Sequence, residues 1–117
     1  METLKDMEPE DLTRKFVDAV NAGDVEGLVA LYEPDAVIAF PPGALTVGHD
    51  AIRELYTGML AAKPHFEYEQ PLTTLISGDL ALTATPAQDE AGVRAQVVRR
   101  QSDGSWLRVL DRPDFTK

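Results

Sequence analysis

Residues Phe16 to Ile38 read FVDAVNAGDVEGLVALYEPDAVI. The stretch changes period twice, and those changes decide the fold. Leu12, Phe16, Ala19 and Val20 recur at helical spacing, after a start at Glu8-Pro9-Glu10-Asp11. Proline suits a first turn, and acids there favour the positive end of the helix dipole. Asn21-Ala22-Gly23 ends the helix, because Gly23 can take a left-handed cap. Asp24 can cap a second short helix, with Val25, Leu28, Val29 and Tyr32 on its apolar side. Glu33-Pro34-Asp35 breaks that helix. The short apolar run Ala36 to Phe40 then reads as a strand.

Working outward, Pro41-Pro42-Gly43 stops the strand and a loop leads to Gly48-His49-Asp50. A third helix follows, with Ile52, Leu55, Tyr56, Met59 and Leu60 as its buried stripe. Lys63-Pro64 closes it. The remainder reads as an antiparallel meander. Its strands run from Phe66 to Ile76 (interrupted near Pro71), Leu80 to Thr85, Val93 to Arg100, and through SWLRVLDRP, Ser105 to Pro113. Turns fall at 77–79, 89–92 and 102–104, where Gly and Asp tolerate positive φ. Helices come first and strands afterwards. The class is therefore α+β, with helices packed on one face of a curved antiparallel sheet.

Bulk properties narrow the function. The chain has 117 residues, which suits one domain over 1–117, with 1–8 expected to be flexible. Its net charge of -9 repels nucleic acid and anionic membranes, whose binding relies on Lys and Arg. There is no cysteine, so thiolate nucleophiles, disulfides and thiolate metal sites are absent together. The acidic N-terminal stretch has no signal-peptide pattern, and no apolar run is long enough to span a bilayer. A cytoplasmic protein is the expectation. The two histidines, His49 and His65, have no metal-ligand spacing, and no phosphate loop or nucleophile elbow appears. Neither a metal nor a cofactor is expected.

The element order resembles the SnoaL-like, or polyketide cyclase-like, part of the nuclear transport factor 2-like superfamily. Its carriers are Phe16 to Ile38, the glycine and helix of VGHDAIRELY (Val47 to Tyr56), and RRQSDGSWLRVLDRP (Arg99 to Pro113). The resemblance implies a cone-shaped half-barrel closed by three helices, commonly dimeric through the outer sheet face. It spans isomerases, cyclases, hydrolases, dehydratases and binding modules, so it is weak for activity. The ketosteroid isomerase pattern uses a tyrosine, an Asp as base and a second, protonated acid. Laid over this chain, those positions fall on Phe16, Phe40 and near Gln96. Phenylalanine has no titratable proton, so ketosteroid isomerisation is not implied.

Asp111 is the candidate for chemistry. By strand alternation it shares a face with Leu107 and Val109, while Trp106, Arg108, Leu110 and Arg112 point the other way. If the aliphatic face lines the cone, Asp111 stands in its wall as a general acid or base. The plainer reading is a strand-end residue paired with an arginine. Arg94 and Gln96 share parity on the preceding strand and could meet Asp111 across the hairpin. Phe16, Tyr32, Phe40, Tyr56, Met59 and Phe66 could line an apolar ligand cavity, though each alone is more often plain core. Trp106 is expected on the outer face, buried by a dimer partner. Three functions stay open. One is a binding protein for a small organic molecule. Another is an isomerase, cyclase or hydrolase-type enzyme using Asp111. The third is a protein-interaction module whose outer sheet binds a different chain.

Overall fold

The computed structural model describes residues 8–86 and 93–113. The turn expected at 89–92 and residues 1–7 lie outside them. Helix α1 runs Asp11–Ala22, α2 Val25–Val29 and α3 Gly48–Leu60. Gly23 closes α1 in the left-handed region at φ 69°, as expected of a glycine cap. The Asp24 side chain accepts from Gly27 N at 2.9 Å and starts α2.

The strands are β1 Tyr32–Ile38, β2 Thr46–Val47, β3 Leu75–Ser77, β4 Leu80–Pro86, β5 Val93–Arg100 and β6 Trp106–Arg112. They form one curved, unclosed sheet in the order β2-β1-β6-β5-β4-β3. All neighbours are antiparallel except β1 and β6, which run parallel. The three helices cover one face. The core between them holds Leu12, Phe16, Val20, Leu28, Tyr32, Ile38, Ile52, Tyr56, Val98 and Trp106. Among the described residues no helix is long and apolar enough to cross a membrane.

Three elements differ in extent from the sequence reading. Tyr32 does not end α2 but opens β1, ahead of Pro34. Proline within a strand is confined to edges and bulges, and the pairing of β1 with β6 shifts register between Tyr32 and Val37. The loop before α3 contributes β2, which pairs Val47 with Val37. The strand expected over 66–76 is reduced to Leu75–Ser77. The preceding residues, 63–74, form an irregular strap. Asn21 grips its backbone twice, donating to Phe66 O at 2.9 Å and accepting from Phe66 N at 2.8 Å. Tyr68 donates to Asp18, Thr74 to Glu10, and Leu72 N to Ala84 O. Asn21 of α1 and one contact to β4 thus stand in for ladder bonds at Phe66 and Leu72, and side-chain bonds to Asp18 and Glu10 tie down the rest.

The largest correction concerns β6. Val98 pairs with Arg108, but Val97 pairs with Leu110. One step on β5 answers two on β6, so Val109 is the extra residue of a β-bulge. Burial along β6 follows: Trp106, Arg108 and Asp111 are buried, Leu110 and Arg112 exposed. Asp111 therefore shares the inner face with Trp106 and Arg108, not with Leu107 and Val109. Trp106 is 4% exposed within the single chain and belongs to the core, not to the outer sheet face.

That outer face carries something else. Following the pairings across the sheet gives Val47, Val37, Leu110, Val97, Leu82 and Leu75 in one row over all six strands. Leu75 is 60% exposed and Leu110 50%.

Candidate functional site

The inner face carries a second row one residue away. Thr83 pairs with Gln96, Gln96 with Asp111, and Asp111 with Ile38. Cross-strand neighbours on one face stand close enough to bond side chain to side chain. Here they do. The Thr83 hydroxyl donates to Gln96 Oε1 at 2.9 Å, and Gln96 Nε2 donates to Asp111 Oδ1 at 3.2 Å. Asp111 Oδ2 accepts from the Tyr32 hydroxyl at 2.6 Å. The single proton of Tyr32 is thus committed to Asp111. The 2.8 Å contact between the Tyr32 and Tyr56 hydroxyls must then be donated by Tyr56. The result is a directed chain, Tyr56 to Tyr32 to Asp111, wholly inside the protein.

Arg108 completes the group. It precedes the bulge, Asp111 follows it, and the bulge turns both side chains inward. Arg108 Nη1 lies 3.7 Å from Asp111 Oδ2 and 3.4 Å from the Tyr32 hydroxyl. Its guanidinium sits 5.0 Å from the centre of the Phe16 ring and 5.8 Å from that of Tyr32, in cation–π range of both. Arg108 is 3% exposed, and its Nε has no hydrogen-bond partner. Burial raises the Tyr32 hydroxyl well above the ordinary tyrosine range, and the Asp111 charge adds to it. Burial, then the same charge, raises Tyr56. Both phenols stay protonated at neutral pH.

A cavity of about 330 Å³ opens onto this group. Its walls are Phe16, Val17 and Thr13 of α1, His65, Phe66, Glu67 and Glu69 of the strap, and Thr85, Arg94, Gln96, Arg108, Asp111 and Pro113 of the sheet side. Arg94 is ion-paired with Glu69 across the cavity wall. His65 contacts Glu67 at 3.0 Å on the exposed rim.

The sequence candidates divide accordingly. Phe16, Phe66, Arg94, Gln96 and Asp111 line the cavity together. Gln96 meets Asp111 across the hairpin, whereas Arg94 turns to Glu69. Tyr32 and Tyr56 lie behind the wall and reach the cavity only through their hydroxyl chain. Met59 is partly buried against the core. Phe40 belongs to a different hollow, formed with Pro42, Leu45 and Arg112. His49 Nε2 donates to Tyr32 O at 2.8 Å, a structural bond beneath α3. Among the described residues no group of His, Asp and Glu is placed to hold a metal ion. Arg108 was missed because uniform alternation puts it outside. Nothing in its local sequence signals the bulge that turns it inward.

Comparison with known proteins agrees with this architecture. A ketosteroid isomerase-like protein from Erwinia carotovora atroseptica superposes with a TM-score of 0.66 at 20% identity, over 88% of this chain and 89% of that one. An NTF2-like protein of unknown function from Pseudomonas putida gives 0.66 at 22% identity, over 88% and 80%. A domain of unknown function with a cystatin-like fold from Nostoc punctiforme gives 0.73 at 18% identity, over 96% and 77%. At such identities these likenesses speak for the fold alone. The SnoaL-like domain model matches residues 13–111, which covers the helices, the strap, the sheet and Asp111 itself. The chain belongs to the SnoaL-like domain family.

Proposed function

We propose that this protein binds a small organic molecule in the cavity between α1, the strap and the inner face of the sheet. One observation carries the reading: an aromatic and aliphatic wall of Phe16, Val17 and Phe66 faces a buried polar floor of Gln96, Arg108 and Asp111. Apolar walls with a few fixed polar groups are the usual make-up of a small-molecule site. The volume suits a ligand of one or two fused rings. Native mass spectrometry, repeated after denaturation, tests for a retained small mass. A set of aromatic fragments followed by amide NMR then locates the site. Shifts gathered on α1, the strap and β5–β6 support the proposal. Shifts scattered over the surface, with no retained mass, refute it.

An enzyme of the isomerase, cyclase or hydrolase kind is the second reading, because Asp111 lines the same cavity. Against it, Oδ1 already accepts from Gln96, and Oδ2 from Tyr32 beside Arg108. A carboxylate so engaged is better suited to fixing Arg108 and Gln96 than to exchanging protons. A homodimer through the outer sheet face belongs to the same proposal. Its support is the six-stranded apolar row, which takes the place assigned to Trp106 in the sequence reading.

A further inference from the structure

The walls of the cavity are not held alike. On one side stands helix α1, on another the hydrogen-bonded strands β4, β5 and β6. The third wall, His65, Phe66, Glu67 and Glu69, belongs to the strap. Among the described residues, no backbone-to-backbone hydrogen bond reaches the strap between Pro64 and Pro71. The flanking ones are Lys63 N to Leu60 O before it and Leu72 N to Ala84 O after it. Side chains hold the segment instead. Phe66 is bonded by Asn21 and rests its ring on Phe16, Tyr68 is bonded to Asp18, and Glu69 to Arg94.

A segment held by few bonds opens locally before a core does. Two features suit this one to move as a unit. Its ends are stiff, because Pro64 and Pro71 fix φ and restrict the residue before each. Lys63, though not a glycine, stands at φ 53° in the left-handed region, a conformation that opening can relax. The bonds from Asn21 and to Asp18 lie at exposed positions. The Arg94–Glu69 pair differs from them. Both side chains are only 23% exposed, and both residues line the cavity. A charge-assisted bond sheltered in this way outweighs exposed ones. It ties the strap directly to β5.

We infer that strap residues 64–71 are a gate over the cavity, with Lys63 as its hinge and the Arg94–Glu69 ion pair as its latch. The gate rests on the small-molecule reading of the cavity for its purpose, but its motion can be tested with no ligand at all.

The chain has no cysteine, so a single introduced thiol reports its own accessibility. Thr85→Cys puts a thiol in the cavity wall. Ala81→Cys puts one on the same strand, in the core and away from the cavity. Thr85 and Ala81 are each 4% exposed. Both variants are reacted with dithiobis-nitrobenzoate over a range of urea below the unfolding transition. Thr85→Cys is expected to react about 10-fold faster or more, and with weak dependence on urea, because a local opening exposes little surface. Adding Glu69→Gln should speed that reaction by about a further 10-fold, the order for a lost bond between charged groups. Three results overturn the gate. One is a Thr85→Cys thiol that reacts at the same rate and with the same urea slope as Ala81→Cys. Another is a thiol as reactive as a free one, since the strap then closes nothing. The third is an unchanged rate in Glu69→Gln, which removes the latch. If the thiol variants do not fold, hydrogen exchange of the unaltered chain decides. Phe66 N–H, held by Asn21, should exchange well ahead of the β5 amides and with little urea dependence; exchange of all of them together overturns the proposal. An immobile strap leaves the small-molecule reading standing. Absence of both a retained mass and gathered shifts removes that reading and leaves the gate measurement intact.

Discussion

Replacing Tyr32 with phenylalanine tests the hydroxyl chain on which the cavity floor is built. The ring stays, so the core loses one oxygen and little volume. Two bonds go with that oxygen. Asp111 loses its 2.6 Å donor, and the Tyr56 hydroxyl loses its 2.8 Å acceptor in a fully buried place. A bond to a charged group contributes roughly 1.5–3 kcal/mol, and an orphaned buried donor costs roughly 1–3 kcal/mol. These overlap, so the expected loss is about 3 kcal/mol. That is a large share of the roughly 5–15 kcal/mol that holds a domain together. For a chain of this size it corresponds to a fall in Tm of roughly 10 °C. Urea unfolding followed by fluorescence measures it directly, because Trp106 is the sole tryptophan and lies in the core. Tyr56→Phe should cost less, since Tyr32 keeps Asp111. The double variant should cost less than the sum by about 1 kcal/mol, because no orphan hydroxyl remains. A loss below about 0.5 kcal/mol for Tyr32→Phe, or strict additivity in the pair, would show that the chain of hydroxyls does not support the floor.

Other perturbations follow from the same structure. All three tyrosines, Tyr32, Tyr56 and Tyr68, keep their protons to higher pH than a free tyrosine: burial acts first on Tyr32 and Tyr56, the bond to Asp18 on Tyr68. Above about pH 10 the unfolded chain loses protons that the native chain retains, so stability falls as pH rises through that range; an absorbance titration should show phenolate appearing together with unfolding, and free titration of the native protein near pH 10 would contradict it. Gly23→Ala meets no neighbour within 4 Å but must hold φ at 69°, so it should cost about 1 kcal/mol by strain alone, measured as a shift in urea midpoint with unchanged slope. Leu82→Lys places a charge in the middle of the outer apolar row; analytical ultracentrifugation should show the proposed dimer falling to monomer while far-ultraviolet circular dichroism stays unchanged.

Much of this was legible from local pattern. Gly23, Asp24 and the stripe of α3 announced the helices, because caps and 3.6-residue spacing act within a few residues. The turn at 102–104 was equally readable. There the Asp103 carboxylate accepts from both the Ser105 hydroxyl and Ser105 N, which lowers it below the usual carboxylate range. The pairing of Gln96 with Asp111 also followed from alternation in β5. What failed was alternation in β6, where Val109 interrupts the period. A bulge is fixed by the partner strand, and nothing in residues 105–113 alone specifies it. The strap defeated the reading for a similar reason. Its sequence alternates like a strand, but the backbone of Phe66 is met by Asn21, 45 positions earlier in the chain. Tyr32 was misplaced because its helical spacing from Val25 and Val29 is real, while its burial is decided by β6.

The extra residue at Val109 makes the last strand a two-phase lattice. Upstream of it the even positions 106 and 108 face the inner side of the sheet. Downstream the odd positions 111 and 113 do. Were Val109 kept but the ladder regular, the C-terminal half of the strand would be turned over, with Arg112 meeting the helices and Asp111 facing the leucines outside. Deleting Val109 would instead restore plain alternation with Arg108 and Asp111 still inward. The charge character of the cavity thus depends on the bulge as much as on residue type. Alignments of relatives that slide a gap through this strand will pair carboxylates with positions facing the opposite side of the sheet. Redesign of the cavity has to treat residues 106–108 and 111–113 as two separate frames.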